Sequence, residues 1–385
     1  MIIVKVCHIV DIIPTHHQKI GGAEWAAYRM IKAQKKYNKN IESFIITSKR
    51  TKTPNKTDIK TYEAPNRWEG ISSKIKMGIY PFDRKLYNFV KGILEKEKPD
   101  IVHVHTLKYF GFSTLKAIKD HGLKIIYSVY DYWFFCTLSS LYIKKENKIC
   151  RSYHGADCKK CFGPAGHAFK MRKRIFDRYI KLIDWFVVIS NDSKKILLDN
   201  DIPSDKVTVS SLILDTTKNA GKTKRIKNSI LFVGWVVQHK GLEVLIRGLK
   251  GTDYKLFVIG DMTSDQAYVK RCRQAAKEFN VDVEFIGRTP HKTVIDYMRK
   301  CEYLAVPSQW RIPLPTVLLE GMSIGSKIIG SGVGSIAEHL PKQNIFKNEK
   351  DIKKCLKNAK FVKKKFDNKK TVNGVMKIYK SVLGL

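Results

Sequence analysis

Short apolar runs rich in β-branched residues alternate with amphipathic stretches along most of the chain. In the first half these runs are IIVKVCHIV, IESFIIT, DIVHVH, KIIYSVY and WFVVIS, and the apolar spacing between them predicts helices over residues 23–37 and 86–97. The alternation starts again at SILFVG and continues through YKLFVIG, VDVEFIG, YLAVPS and SKIIGSG. Because apolar strands separated by helices are typical of a parallel sheet covered on both faces, the sequence predicts two doubly wound α/β domains.

A polar and basic segment, residues 214–228, separates the two series of apolar runs and is typical of a linker. The chain of 385 residues is also long enough to bury two cores. We therefore predict a first domain over residues 1–214, a second over 229–368 and a last helix over 369–385. Since ligands of open α/β sheets bind beyond the carboxyl ends of the strands, the active cleft is expected between the domains.

The chain carries 72 basic and 35 acidic side chains, a formal net charge of +37. This excess predicts an anionic partner, either nucleic acid, an acidic lipid surface or a phosphate-bearing ligand, although abundant Lys, Asn and Ile also fit a compositional bias. Nucleic acid is the least favoured of these partners. The chain has no helix-turn-helix, zinc-finger or RNP signal, and its basic residues are spread over both halves.

The cellular compartment is predicted from what the sequence lacks. No run of about 20 apolar residues is present, and the N-terminal sequence has neither the basic start nor the cleavage site of a signal peptide. We expect a cytoplasmic protein, with a peripheral position on the inner face of the cell membrane as the alternative. The eight cysteines are then expected to be thiols or metal ligands and not a disulfide framework.

The stretch HAFKMRKRIFDRYIKLIDWF, residues 167–186, predicts a helix with one apolar and one basic face. The simpler interpretation is that the apolar face, which also includes Arg172, packs on the first sheet. The basic face could then rest on an anionic membrane surface, where each Lys or Arg contributes about 1 kcal/mol.

Three glycine-containing stretches carry candidate ligand-binding groups. Gly21 and Gly22 precede the first predicted helix, where backbone N–H groups can approach phosphate oxygens, but glycine pairs are also common in ordinary turns. Lys240, beside Gly241 at the start of another helix, could reach a diphosphate or be one more solvated lysine. Glu320 lies in the apolar helix of PLPTVLLEGMSIG, where a carboxylate needs a partner such as a ribose hydroxyl.

Taken together, these stretches resemble the GT-B glycosyltransferases, and among them glycosyltransferase family 4, over essentially the whole chain. The resemblance rests on GGAE at 21–24, FVGWVVQHKG at 232–241, FIG at 285–287, AVPS at 305–308 and LLEGMSIGSKIIGSGVGSIAE at 318–338. It implies two Rossmann-like domains facing a cleft, with the last helix crossing back to the first domain. It also implies a metal-independent, retaining hexosyltransferase. The donor would be a UDP- or GDP-linked sugar, and the acceptor a glycan or a lipid-linked intermediate of surface polysaccharide assembly, such as lipopolysaccharide or capsule.

The resemblance further implies roles for individual residues. Among the donor-binding candidates, Gly21, Gly22 and Lys240 are expected near the diphosphate. Gly287 and Arg288 are expected beside the base, and Glu320 at the ribose. Asp131 ends a strand where the family keeps an Asp and is the main catalytic candidate. His105, at the end of DIVHVH, is a second catalytic candidate, with a buried His bonded to the backbone as the alternative.

Residues 136–161 look like the Cys-bearing insertion that follows the HDYW strand end in one group of family 4 enzymes. Cys136, Cys150, Cys158 and Cys161 include one CxxC pair, and four thiolates could hold a structural zinc that fixes a loop with little core of its own. The spacing of the first two is looser than in a zinc ribbon, so an iron–sulfur cluster or reduced buried thiols remain alternatives.

Three positions depart from the family at places that contact the donor. Tyr130 replaces the His before Asp131, Trp235 replaces a common Arg, and Ile312 replaces the first acid of the E-x7-E pair that ends at Glu320. An indole cannot supply the charged, bidentate contact of an Arg to phosphate. Two hypotheses follow: an active glycosyltransferase with a divergent donor site, or a catalytically impaired protein that serves as a binding or scaffolding subunit of an active glycosyltransferase.

Overall fold

The computed structural model describes residues 3–18, 20–55, 57–65, 81–215 and 224–385. By their internal contacts these residues form two compact units. The first unit comprises Met1–Leu141, Cys150–Ile213 and Asp367–Leu385, and the second comprises Tyr142–Ile149 and Leu214–Phe366. The short segment 142–149 therefore belongs to the second unit, although the chain on either side of it belongs to the first.

The strands were named in chain order. They are β1 (Val4–Ile9), β2 (Ile41–Thr47), β3 (Lys60–Glu63), β4 (Ile101–Val104), β5 (Lys124–Val129), β6 (Tyr142–Ile143), β7 (Lys148–Ile149), β8 (Trp185–Val188), β9 (Val207–Val209), β10 (Ile226–Val233), β11 (Lys255–Ile259), β12 (Val283–Gly287), β13 (Cys301–Val306), β14 (Ser326–Ser331), β15 (Ile345–Phe346) and β16 (Phe361–Val362).

The α-helices of the described residues were named in the same way. They are α1 (Gly22–Tyr37), α2 (Arg84–Glu97), α3 (Gly111–Asp120), α4 (Cys158–Phe162), α5 (Phe169–Ile180), α6 (Asn191–Leu198), α7 (Leu242–Gly248), α8 (Gln266–Glu278), α9 (His291–Lys300), α10 (Thr316–Ile324), α11 (Ser335–His339), α12 (Ile352–Asn358) and α13 (Asn368–Leu383).

The first unit is built on a parallel sheet in the order β3-β2-β1-β4-β5-β8-β9. Its central strands are buried on both faces, as the continuous apolar runs of the sequence predict, and all four residues of β4 are inaccessible. Successive strands are added on one side of β1 up to β3, and on the other side from β4 onwards, so the strand order reverses between β1 and β4. There Val6 pairs with Ile101 and His8 with His103. This is the position at which doubly wound sheets place their ligand-binding loops.

The second unit has the same winding, with strand order β12-β11-β10-β13-β14-β15. β16 adds an antiparallel edge to β14, and the hairpin β6–β7 forms a separate two-stranded sheet. The core is lined by apolar side chains of β10, β11 and β13 together with α7, α8 and α12. Within this unit Lys144 of the hairpin forms an ion pair of 2.8 Å with Asp265, and its carbonyl accepts a hydrogen bond from Gln238.

The last helix, α13, is part of the core of the first unit. Its apolar face, with Val372, Val375 and Met376, packs among residues of α1 and the sheet. The hydroxyl of Tyr379 accepts a hydrogen bond of 2.8 Å from Gln34 Nε2 and lies 2.6 Å from His103 Nδ1. The helix is therefore held by buried polar contacts as well as by apolar packing.

The predicted fold class is confirmed, since both units are Rossmann-like α/β sheets. Residues 216–223, which form most of the predicted linker, lie outside the described residues. Among the helices that the structure describes, none has the length and apolar character needed to cross a bilayer.

Replacement of Tyr379 by Phe should destabilise the first unit. The change removes one hydroxyl and leaves buried polar atoms of Gln34 and His103 without their hydrogen-bond partner. The free energy of unfolding should fall by about 1 to 3 kcal/mol. Urea and thermal unfolding followed by circular dichroism will measure it. Tyr87→Phe is the matched control, because its hydroxyl bonds an exposed carboxylate of Asp120. Equal effects of the two variants would contradict a special role of the Tyr379 hydroxyl.

Candidate functional site

Three acidic side chains gather at the carboxyl edge of the first sheet. Asp11 follows β1, Glu24 lies in the first turn of α1, and Asp131 follows β5. Burial raises the pKa of each carboxyl group, and that of Asp11 to about 7, with the nearby charges of Glu24 and Asp131 adding to this effect. The Lys108 ammonium acts in the opposite direction on Glu24 and Asp131. A carboxyl group that titrates near neutral pH therefore lies within electrostatic range of the catalytic candidate Asp131.

The glycine pair at the start of α1 lies next to one of these acids. The backbone N–H groups of Gly21 and Glu24 act to lower the pKa of the Glu24 carboxyl group, against the larger effect of burial. A Cβ atom on Gly21 would lie 2.7 Å from Glu24 Oε2, so a larger residue would have to displace that carboxylate. The helix N-terminus predicted to receive phosphate thus already faces a negative group of the chain itself.

Three histidines form a buried cluster beneath the same edge. His8, His103 and His105 come from β1, β4 and the residue after β4, and His8 Nδ1 lies 3.1 Å from His105 Nε2. In the part of the chain that the structure describes, only this group brings three or more His, Cys, Asp or Glu ligand atoms within 4.8 Å of one another. His103 already uses both ring nitrogens, one towards Tyr379 and one towards Ser128 at 2.8 Å.

We interpret this cluster as neutral, hydrogen-bonded core histidines and not as a metal centre. Burial lowers the pKa of all three rings, that of His8 to about 3. His103 has no ring nitrogen left for a cation, because both already have hydrogen-bond partners. The His105 ring stacks on Tyr130 with 6.0 Å between centroids and is only 1% exposed, and its catalytic role stays a prediction.

In the second unit, Lys240 lies on a short 3-10 turn between β10 and α7. Its ammonium is 5.6 Å from the centre of the Trp310 ring, and burial lowers its pKa to about 8. Gly241 permits this arrangement. It has φ of +76°, and a Cβ atom there would lie 1.9 Å from the carbonyl oxygen of Pro307. The loop after β13 therefore lies directly against the lysine turn.

The other predicted donor contacts of this unit each have a partner of opposite charge or polarity. Glu320, in α10, is buried and lies 3.0 Å from His291 Nε2 at the start of α9. Gly287 ends β12, and Arg288, which follows it, forms an ion pair of 3.2 Å with Asp261. Asp261 is itself 3% exposed and accepts a hydrogen bond from the Thr263 hydroxyl, so its pKa falls to about 2 despite burial. These residues form two polar pairs, one between α9 and α10 and one between the loops that follow β11 and β12.

The three departures from the family occupy different environments. Tyr130 is buried beside His105, and burial raises its pKa to about 12. Trp235 is 43% exposed after β10. Ile312 is 8% exposed, and its carbonyl accepts a hydrogen bond of 2.8 Å from the Ser335 hydroxyl. The apolar side chain at 312 is therefore packed, so the missing acid is replaced by apolar packing and not by solvent.

The four cysteines predicted to bind metal all belong to the first unit, and none of them is in a disulfide. Cys158 and Cys161 lie on α4, Cys136 lies in the loop after β5, and Cys150 follows β7. The Cys158 thiol interacts electrostatically with each of the other three.

Several residues of these sites were missed by the sequence analysis. Asp11 and Asp261 each come directly after an apolar strand, so the strand-end rule that selected Asp131 could have found both. His291 and Trp310 carried no such signal. Each meets its partner across a long sequence separation, which only the fold determines.

Replacement of Asp11 by Asn should change how stability depends on pH. The folded pKa of Asp11 is about 7, above the ordinary value near 3.9, so its stabilising contribution is complete at low pH and is lost as pH rises through 7. Asn stays neutral, and we expect the variant to gain about 2 to 3 kcal/mol relative to the native chain between pH 5 and pH 8. Denaturant unfolding at both pH values will measure this. Asp215→Asn is the control. If the free energy of unfolding of Asp11→Asn relative to the native chain were the same at both pH values, a raised pKa of Asp11 would be contradicted.

The chain is similar in sequence and in fold to several known proteins. A curated relative, an uncharacterized glycosyltransferase of Methanocaldococcus jannaschii, is 26% identical over 80% of this chain and 90% of its own length. An uncharacterized 42.6 kDa protein in the cps region of Klebsiella pneumoniae is 26% identical over 66% of this chain and 64% of its own. The solved structure of Anabaena HepE in complex with UDP and glucose superposes with a TM-score of 0.66 at 13% identity, covering 98% of this chain and all of that one.

Two family models match the sequence. The model of glycosyl transferases group 1 matches residues 215–354, and the model of Glycosyltransferase Family 4 matches residues 20–218. The second of these spans more than half of the chain. With its two Rossmann-like sheets of GT-B type, the chain belongs to glycosyltransferase family 4.

Proposed function

We propose that the protein is a retaining glycosyltransferase that transfers a sugar from a UDP- or GDP-linked donor to a surface-polysaccharide or lipid-linked acceptor. The observation that carries this proposal is the Glu320–His291 pair, whose side chains lie 3.0 Å apart. The pair belongs to the same unit as Lys240, whose ammonium lies near the Trp310 ring. A buried carboxylate oriented by an imidazole is suited to accept hydrogen bonds from the two ribose hydroxyls of a nucleotide. HepE, similar in fold, was crystallised with UDP and glucose, which supports a nucleotide sugar as the donor class.

In this proposal the bond between the anomeric carbon and the diphosphate oxygen breaks, and the electron pair leaves with the diphosphate. A bond from the anomeric carbon to an acceptor hydroxyl oxygen forms on the same face of the sugar, and the hydroxyl proton passes to the departing diphosphate. Negative charge develops on the leaving diphosphate, and Lys240 supplies a fixed positive charge to stabilise it. Arg288 and Gly287 would lie beside the base, and Asp131 would hydrogen-bond the acceptor or the sugar.

The divergent positions suggest how the donor sugar is held. Ile312 offers no hydrogen bond to sugar hydroxyls, and its burial leaves that wall of the donor site apolar. Trp310, whose indole N–H is buried without a hydrogen-bond partner and whose ring lies over Lys240, is a candidate replacement donor in the same loop. We therefore propose a donor sugar with fewer hydroxyl contacts on this side than the family's usual substrates.

The same apolar wall also supports an alternative function. A chain that has replaced a sugar-binding acid by packed Ile312 could retain the nucleotide without turning it over. It would then act as a binding or scaffolding subunit of an active glycosyltransferase. Nucleotide binding is common to both functions, but turnover belongs only to the first.

Nucleotide binding and turnover therefore separate these functions. Lys240→Ala and Glu320→Gln should each weaken UDP or GDP binding by about 10- to 100-fold, because each removes a charged contact worth about 1.5 to 3 kcal/mol. Isothermal titration calorimetry with UDP, GDP and ADP will measure this, and Lys250→Ala, an exposed lysine of the same unit, is the matched control.

Turnover is then assayed with UDP- and GDP-sugars. Loss of sugar transfer in Lys240→Ala or Glu320→Gln would exclude the scaffolding function. A native chain that binds none of the three nucleotides would exclude the transferase. Binding without any transfer or hydrolysis would leave the scaffolding function as the better account.

We further propose that the basic face of α5 rests on an anionic membrane, where a lipid-linked acceptor would be found. Phe169, Phe176 and Ile180 of this helix are buried in the first unit. The opposite face is exposed and basic, with Lys170, Arg174, Arg178 and Lys181.

Changing these four basic residues to Gln should weaken vesicle binding by about two to three orders of magnitude, at about 1 kcal/mol for each charge. Co-sedimentation with phosphatidylcholine vesicles, with and without phosphatidylglycerol, will measure it. The matched control changes four exposed lysines of another surface, Lys353, Lys354, Lys357 and Lys360. Equal loss in both variants, or binding that does not depend on phosphatidylglycerol, would contradict docking through α5.

A further inference from the structure

Lys240 lies on a turn that is too short to fix its own position. This lysine turn, Gln238–Lys240, has three residues. It is closed by two backbone hydrogen bonds, from Lys240 to Val237 at 2.9 Å and from Gly241 to Gln238 at 3.0 Å. A 3-10 turn has poorer hydrogen-bond geometry than an α-helix, and a single turn does not offset the entropy lost in fixing its residues. The position of the Lys240 ammonium is therefore set by what packs around the turn.

The loop after β13 supplies one of these contacts. The Gln309 N–H donates a hydrogen bond of 2.8 Å to the His239 carbonyl. The Trp310 ring lies edge-to-face with the His239 ring, with 5.3 Å between centroids. The same Trp310 ring faces the Lys240 ammonium, so His239 and Lys240 share one aromatic neighbour.

The hairpin β6–β7 supplies the other contacts. The Tyr142 ring lies edge-to-face with the His239 ring, with 6.2 Å between centroids, and Tyr142 is only 3% exposed. Gln238 Nε2 donates a hydrogen bond of 3.1 Å to the Lys144 carbonyl. Aromatic rings at this separation and angle attract each other, because the positive edge of one meets the negative face of the other. His239 thus contacts rings from two segments that are far apart in the chain.

The hairpin is anchored in the second unit at the start of α8. Lys144 Nζ lies 2.8 Å from Asp265 Oδ2, while Asp265 Oδ1 accepts the Tyr268 N–H and caps the helix. The Lys144 side chain is 61% exposed, so this ion pair is weak, and the buried Tyr142 ring is the stronger anchor. Since an isolated two-stranded hairpin is marginally stable at best, contacts of this kind hold it in place.

The histidine at the centre of these contacts adds no charge beside the lysine. Burial, assisted by the ammonium groups of Lys240 and Lys144, lowers the pKa of His239 to about 4, so the ring is neutral at neutral pH. An imidazolium at this place would repel the ammonium. The neutral ring packs against Tyr142 and Trp310 and leaves Lys240 as the charge of the turn.

We propose that the hairpin β6–β7 is a positioning element of the donor site, in which Tyr142 holds the lysine turn through His239 and keeps the Lys240 ammonium directed at the donor diphosphate. This inference rests on the role of Lys240 in the proposed function. Tyr142 acts through another residue and is therefore a positioning residue. The chain up to Leu141 and from Cys150 belongs to the first unit, so a short segment of the Cys-bearing insertion shapes a donor turn of the second.

The first test follows the lysine turn in the full chain without any nucleotide. Hydrogen exchange, measured by mass spectrometry, should be faster in peptides that span residues 237–241 of Tyr142→Ala, because the turn has lost its ring contact. Tyr142→Phe keeps the ring and should exchange like the native chain. Lys145→Ala, which removes an exposed side chain of the same hairpin, is the matched control and should also exchange like the native chain. Unchanged exchange in Tyr142→Ala would overturn the proposal.

The second test is a double-mutant cycle on nucleotide binding, measured by calorimetry with whichever of UDP and GDP the native chain binds more tightly. Tyr142→Ala should weaken binding by about tenfold in the native chain. In the Lys240→Ala chain it should have little further effect, because the lysine that it disturbs is already gone. Tyr142→Phe should bind like the native chain. A variant that only loses stability would weaken binding equally in both backgrounds, and that result would overturn the proposal.

Failure of this proposal differs from failure of the proposed function. If Lys240→Ala weakens nucleotide binding and Tyr142→Ala does not, positioning by the hairpin is wrong and the function stands. If Lys240→Ala binds as tightly as the native chain, or if the native chain binds neither nucleotide, the proposed role of Lys240 is wrong, and positioning for the diphosphate is wrong with it.

Discussion

Burial of both faces of the two parallel sheets is the constraint on which the rest of this protein depends. Strands such as β4 have no exposed side chain, so their residues are apolar or, like His103, satisfied by neutral hydrogen bonds. Chemistry can then take place only where the strands end. Asp11, Asp131, Gly287 and Lys240 all follow or close a strand at such an edge. The fold therefore concentrates the polar chemistry of a strongly basic chain into a few loops.

The cost of enclosing charges explains the pairs found in these loops. In the second unit Glu320 is matched by His291, and Asp261 by Arg288 with a neighbouring hydroxyl. In the first unit, Asp11 lies near other acids and instead holds its proton to a higher pH. Paired charges leave a site able to bind polar ligands. Several buried acids close together instead raise the pKa of one carboxyl group. The two units thus offer different chemistry from the same sheet architecture.

Much of the candidate site could be predicted from the sequence, because strand ends and glycine turns leave local signals. Asp131 and Lys240 were selected as candidates by such signals, and Glu320 was selected because it is a carboxylate in an apolar helix. Trp310 and His291 were not, since their partners lie far away in the chain and no local pattern indicates the contact. His105 shows the opposite case. A strand-end position made it a catalytic candidate, and only the packing of Tyr130 and His8 against it revealed how deeply it is buried.

The sequence by itself determined the two doubly wound α/β units and the family, because apolar periodicity and glycine positions act locally and leave a readable pattern. Only the tertiary structure decided that the hairpin at 142–149 belongs to the second unit and that Tyr379 joins the last helix to Gln34 and His103. It alone also buried Arg172 and placed its guanidinium 3.1 Å from the Trp133 carbonyl. These features depend on contacts between residues distant in the chain, and burial changes the energy of a polar group only once those contacts exist.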